Sequence, residues 1–178
     1  MRSMCRRQFV ATFAAAVPIL ARPRALFAAT EGTRALSFLH THTGETLSVE
    51  YAQGSRYLPD ALATVNQFLR DFRTGDVHAI DQGLLDLLHG LTRLTETHRP
   101  FQVISGYRSP KTNAMLRSHS EGVAGRSRHM MGQAIDIRLA DGPLPKLRQA
   151  ALAAGRGGVG YYPASNFVHV DTGRVRTW

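Results

Sequence analysis

Two short segments, "AIDIRL" (134–139) and "FVHVD" (167–171), constrain the fold of this chain more than any other part of it. Successive side chains along an extended strand point to opposite faces. Ile135, Ile137 and Leu139 therefore share one face of the first segment, and Ala134, Asp136 and Arg138 share the other. In the second, Val168 and Val170 oppose Phe167, His169 and Asp171. Each strand thus has an apolar face for a core and a face that carries ionisable groups. A carboxylate inside an apolar strand is costly unless something pairs with it. Laid side by side, the strands bring Asp136 to His169. His129, in the segment leading into the first strand, completes a three-point cluster.

Two neutral imidazoles and one carboxylate with a fourth position open form a zinc set of the catalytic kind, in which the open position takes a water. Seven residues separate His129 from Asp136, and 40 separate His129 from His169. That spacing leaves a second reading open, with His169 a hydrogen-bonded strand histidine and Asp136 a strand-face charge paired with Arg138.

The rest of the chain supplies a scaffold of matching type. Residues 34–52 predict a hairpin turning at Thr43-Gly44, with Leu36 and Phe38 on one arm and Leu47, Val49 and Tyr51 on the other. A helix is expected from about Pro59, carrying Leu62, Val65, Leu69 and Phe72 at helical spacing. A second begins at Asp81 as N-cap and carries Leu84, Leu87, Leu88, Leu91 and Leu94. "FQVISGYR" (101–108) reads as a strand, and Ser109-Pro110 as the start of a short helix. A helix over "PLPKLRQAALAAG" stops at Gly155, and "GVGYY" is a further strand. Early helices and late strands predict an α+β domain with a mainly antiparallel sheet.

The first 29 residues stand apart. Arg2, Arg6 and Arg7 precede an apolar run from about Phe9 to Ala21, too short to span a bilayer comfortably, and no acidic residue appears before Glu31. This predicts an export signal, with an uncleaved membrane anchor as the alternative reading. The Arg6-Arg7 pair followed by Gln8-Phe9-Val10 is similar to a twin-arginine signal, with Cys5 where Ser or Thr is usual. Cleavage is expected after Ala28 or Ala29, leaving residues 30–178 as a single domain in the periplasm. Five basic residues go with the signal, so 17 basic and 13 acidic residues remain, a net charge of +4. That modest charge suits an anionic wall or membrane surface and, with no dense Lys/Arg stripe among aromatics, argues against nucleic acid. Cys5 is the sole cysteine, so the mature chain has no thiolate ligand, cysteine nucleophile or disulfide.

Three stretches in order, "SGYRSPKTN" (105–113), "SRHMMGQAID" (127–136) and "FVHVDTGRVRTW" (167–178), resemble the M15-type zinc peptidases of the D-alanyl-D-alanine carboxypeptidase and murein endopeptidase group. The resemblance is strongest to the exported murein endopeptidase branch and runs from about Ala35 to Trp178, with "THTGE" and "GGVGYYP" included. It implies a hedgehog-like α+β peptidase fold whose sheet carries the site, with helices packed on the other side. It implies zinc held by His129, Asp136 and His169, with Arg108 and Ser127 contacting substrate and Arg108 stabilising a developing oxyanion. Gly132 and Ala134 would then be small residues that let backbone approach the metal.

The general base departs from the family pattern. Relatives place an acid three residues before the last ligand, or a histidine two before it; here those positions are Asn166 and Phe167. Asp171, on the same strand face as His169, either deprotonates the attacking water or holds a ligand histidine. His119 is a remote candidate. His40 and His42 have metal-capable spacing but no argued role, His78, His89 and His98 are expected at the surface, and Tyr107 is expected to pack. The implied activity is hydrolysis of peptidoglycan crosslink peptides. The alternatives are D,D-carboxypeptidase action or a non-catalytic zinc-containing wall-binding module.

Overall fold

The computed structural model describes residues 32–120 and 122–178. The expected export signal lies outside these residues. Among the described residues eight strands form one sheet: β1 (Thr33–His40), β2 (Thr46–Gln53), β3 (Arg56–Tyr57), β4 (Phe101–Ser105), β5 (Ala134–Arg138), β6 (Gly158–Tyr162), β7 (Phe167–Asp171) and β8 (Arg176–Thr177). Their order across the sheet is β3-β2-β1-β4-β5-β7-β6-β8. Neighbours are antiparallel except β1 with β4 and β6 with β8. Four helices accompany it: α1 (Pro59–Phe68), α2 (Gln82–Thr95), α3 (Pro110–His119) and α4 (Leu144–Ala154). The fold is thus α+β on a mostly antiparallel open sheet. Among the described residues no helix is long and apolar enough to cross a membrane.

Local chemistry accounts for the element ends. The Asp81 carboxylate accepts the Gly83 N–H and caps α2, and Ser109 Oγ accepts the Thr112 N–H and caps α3 behind Pro110. Gly155, left-handed at φ 61°, closes α4. Leu84, Leu85, Leu87, Leu88 and Leu91 of α2, Leu147 and Ala151 of α4, and Ile135, Ile137, Val168 and Val170 of the central strands belong to one buried cluster. The core therefore lies on the Ile/Val face of β5 and β7, and the opposite face of those strands is left to the ionisable groups.

Two elements are shorter than their sequence patterns suggest. α1 ends at Phe68, so Phe72 lies in the following loop, where its ring stacks on His42 at 4.4 Å between centroids. β4 ends at Ser105 because Gly106 breaks away to pass against α1: a Cβ on it would lie 2.6 Å from the Leu69 carbonyl oxygen. The Tyr107 N–H donates to that carbonyl at 2.8 Å, anchoring the segment that carries Arg108.

Candidate metal centre

The antiparallel register of β5 and β7 pairs Asp136 directly with His169. His129 comes from a single 3-10 turn, Arg128–Met131, immediately before β5. Gly132 ends that turn in the left-handed region at φ 63°, and a Cβ there would lie 2.1 Å from the Ala79 carbonyl oxygen. The close approach that Gly132 permits is thus to the segment ahead of α2. Ala134 is fully buried opposite Asp171 in the ladder.

The three side chains converge. His129 Nε2 lies 3.2 Å from His169 Nδ1 and 3.3 Å from Asp136 Oδ1, and His169 Nδ1 lies 2.8 Å from the same oxygen. All three residues are buried. The remaining nitrogen of each ring is engaged from behind. His129 Nδ1–H donates to the Gly106 carbonyl at 2.8 Å, and His169 Nε2 faces Asp171 Oδ2 at 3.1 Å. With a proton on each of those outer nitrogens, the inner nitrogens are bare lone pairs. Two lone pairs and a carboxylate oxygen held this close repel unless a cation sits among them. Ligand atoms on a tetrahedral zinc are about 3.3 Å apart, so the donor set fits that ion. The outer acceptors fix tautomer and orientation as partners of metal-bound imidazoles do.

The electrostatics follow from the same contacts. Burial favours the neutral form of Asp136, but the charge and hydrogen bonds of His129 and His169 outweigh it and hold the carboxyl well below the usual carboxylate range. Burial opposes a charged His169, yet its hydrogen bonds to Asp136 and Asp171 carry its pKa up to about 8.

The Arg108 guanidinium lies 3.7 Å from Asp136 Oδ2, the oxygen turned away from the histidines, and the Arg108 backbone N–H donates to the His129 carbonyl at 3.2 Å. Its Nε is buried without a partner. Ser127, also buried, precedes the 3-10 turn and lines the same pocket as Arg108, with a volume of about 740 Å³. The pocket floor is His129, Asp136 and His169, and one wall is Tyr162 stacked on Phe167. Arg138 turns to Gln102 instead of Asp136, at 2.6 Å.

Asp171 does not line the pocket. It is fully buried, and its Oδ1 accepts from Gly158 N–H, Gly173 N–H and Arg176 Nη1 at 3.1, 2.8 and 3.0 Å. Oδ2 accepts from Arg176 Nη2 at 2.6 Å as well as facing His169. Burial is outweighed by these bonds, led by His169 and Arg176, and the carboxyl is held far below its ordinary range. Asn166 sits at φ 53° in the turn before β7, and His119 at the exposed end of α3 bonds back to Met115. His40, which has no argued role in the sequence, is buried. His78 and His89 are half-buried, His78 stacked on Tyr107 at 4.8 Å, while His98 is exposed.

Three contributors have no role assigned from the sequence, although Arg176 and Trp178 lie within the stretch 167–178 that carries the family resemblance. Asp71 is buried and accepts the N–H groups of Arg73 and Ser109, fixing the start of α3 beside Arg108. Arg176 clamps Asp171. Trp178 lies 5.3 Å from the His169 ring and donates from Nε1 to Tyr162 Oη at 2.6 Å.

An α+β sheet with a His-Asp-His cluster beneath an arginine is the arrangement of a metallopeptidase. The chain belongs to the M15 peptidase family described as peptidoglycan L,D-endopeptidase MepK, whose model matches residues 28–178. It is 44% identical over 175 residues to peptidoglycan L,D-endopeptidase MepK of Escherichia coli (strain K12), covering 97% of this chain and 96% of that relative. The relative from Shigella flexneri gives the same values. The probable peptidoglycan L,D-endopeptidase MepK of Haemophilus influenzae is 42% identical over 176 residues, covering 97% and 95%.

Proposed function

We propose that this chain is a zinc-dependent murein endopeptidase that hydrolyses peptide crosslinks of peptidoglycan in the periplasm. The observation that carries it is the convergence of His129 Nε2, His169 Nδ1 and Asp136 Oδ1 on the floor of an open pocket, in a chain of this family. The named activity of the relatives points to an amide between an L and a D centre, as in a crosslink joining two diaminopimelate residues.

His129, Asp136 and His169 would hold the ion. Zinc in such a site supplies a Lewis acid and a water that is nucleophilic at neutral pH. The protein's own groups do the rest. Arg108, with a buried guanidinium edge and no partner on Nε, is placed to receive the negative charge that develops on the substrate carbonyl oxygen. Ser127, on the same wall, is assigned to substrate binding. The Gly106 carbonyl and Asp171 each hold one ligand imidazole, and Arg176 holds Asp171. Asp171 therefore acts through His169, as a positioning residue. Residues 1–29 are assigned as a twin-arginine-type export signal and 30–178 as the hedgehog-like peptidase domain.

Purified crosslinked muropeptide dimers, incubated with the zinc-loaded mature protein and followed by mass spectrometry, test this. Conversion of dimers to monomers, abolished by a chelator and by His169→Ala, is expected. Intact dimers with one zinc bound per chain would favour a wall-binding module, for which the non-basic Asn166 and Phe167 are the feature in its favour. Release of a terminal residue without loss of dimers would indicate a carboxypeptidase.

A further inference from the structure

Among its described lining residues the pocket is unbalanced in charge. Five arginines line it (Arg108, Arg126, Arg128, Arg174 and Arg176), and Asp136 is the one carboxylate among its described lining residues. Two of the five have anionic partners, Arg108 on Asp136 and Arg176 on Asp171. Arg128 is bonded to the neutral Gln133 amide oxygen at 2.6 Å. Arg126 and Arg174 are exposed and make no side-chain hydrogen bond or ion pair among the described residues.

These two cations sit on different elements. Arg126 belongs to the loop between α3 and the 3-10 turn, and Arg174 to the turn between β7 and β8. That second turn is pinned: Gly173 N–H donates to Asp171, and Arg176 donates to the Arg174 carbonyl at 3.2 Å. The Arg174 backbone is thus held in place while its guanidinium has no partner among the described residues. Uncompensated like charges around one cavity repel each other, and they raise the local concentration of anionic ligands. A guanidinium fork matches a carboxylate in bidentate geometry.

We propose that Arg126 and Arg174 are specificity-determining residues that read free carboxylates of the crosslinked peptide, so that the preferred substrate carries its diaminopimelate carboxylates unamidated. This rests on the endopeptidase reading above. In a crosslink between two diaminopimelate residues, the carbon bearing the scissile nitrogen also bears a carboxylate. Amidation of that group removes the charge while leaving the scissile bond unchanged.

The test uses two synthetic L,D-crosslinked dimers that differ only in whether those carboxylates are free or amidated. Steady-state hydrolysis is measured with zinc-loaded wild-type protein, Arg126→Gln and Arg174→Gln. Binding of both dimers to His169→Ala is measured by calorimetry. A charge-assisted hydrogen bond lost from such a pair corresponds to about tenfold in affinity. The wild type is expected to show a KM about tenfold lower for the free-acid dimer, with kcat little changed. Each variant should raise the KM for the free acid, leave that for the amide where it was, and so shrink the discrimination. A merely structural role would move both dimers together. Equal KM values for the two dimers, or variants that discriminate like the wild type, would overturn the proposal while leaving the endopeptidase reading intact. Tighter binding of the free acid to His169→Ala with neither dimer cut by the wild type would sink the endopeptidase reading and keep the carboxylate preference.

Discussion

Asp171 holds His169 through one oxygen and is itself saturated by two backbone N–H groups and Arg176, which defines what its removal should do. Asp171→Ala is expected to weaken zinc binding by about 10- to 100-fold, the range for loss of an outer partner of a ligand histidine. Activity should return when zinc is raised to saturation. A rate that stays low in saturating zinc would instead assign Asp171 to proton transfer. Arg108→Ala should retain zinc stoichiometry while losing about 100-fold or more in kcat, as loss of an oxyanion donor does. Gly106→Ala would force a methyl to within 2.6 Å of the Leu69 carbonyl and shift the backbone that orients both His129 and Arg108. Its expected signature is a lower melting temperature together with weaker zinc retention, read by calorimetry and metal analysis.

At the scale of elements, the His40 end of β1 gives a pH-dependent expectation. Its ring is 1% exposed, edge-on to Phe68 and Phe72, and Nε2 has no partner. Burial, with the neighbouring His42 ring adding to it, holds its pKa below the ordinary imidazole value. The unfolded chain therefore binds a proton first as pH falls below about 6.5, so this contribution to stability is complete above that pH and is lost as pH drops towards the folded pKa. Urea midpoints measured from pH 7.5 to 5 should fall, and His40→Leu should flatten the slope. In α2, Leu88→Ala at a fully buried position should cost about 2–5 kcal/mol. The capped helices and the period-two strands were legible because their signals are local. Asp136 opposite His169 was legible for the same reason, since alternation puts each on a face and antiparallel pairing does the rest. The parallel pairing of β1 with β4 and the two-residue strands β3 and β8 were not legible, because partner choice between distant segments leaves no periodic trace. The roles of buried Asp71 and half-buried Arg176 were missed because a single charge is meaningful only through groups that folding brings to it.

For the whole molecule, the His-Asp-His cluster and the sheet are one construction, since its residues come from β5, β7 and the turn between α3 and β5. Zinc binding only the native state should stabilise the domain by about 2.7 kcal/mol at 100 times its dissociation constant. Thermal unfolding with and without a chelator checks this, and a chain lacking residues 1–29 should show the same shift. The register that sets Asp136 against His169 has a further consequence. Sliding β7 by one residue along β5 would turn His169 into the hydrocarbon interior and bring Val168 or Val170 out beneath the pocket. A chain mispaired in that way has no triad to offer. On the proposed reading, metal uptake would double as proofreading of the fold: only correctly threaded molecules would acquire the ion, and misthreaded ones would be left inert.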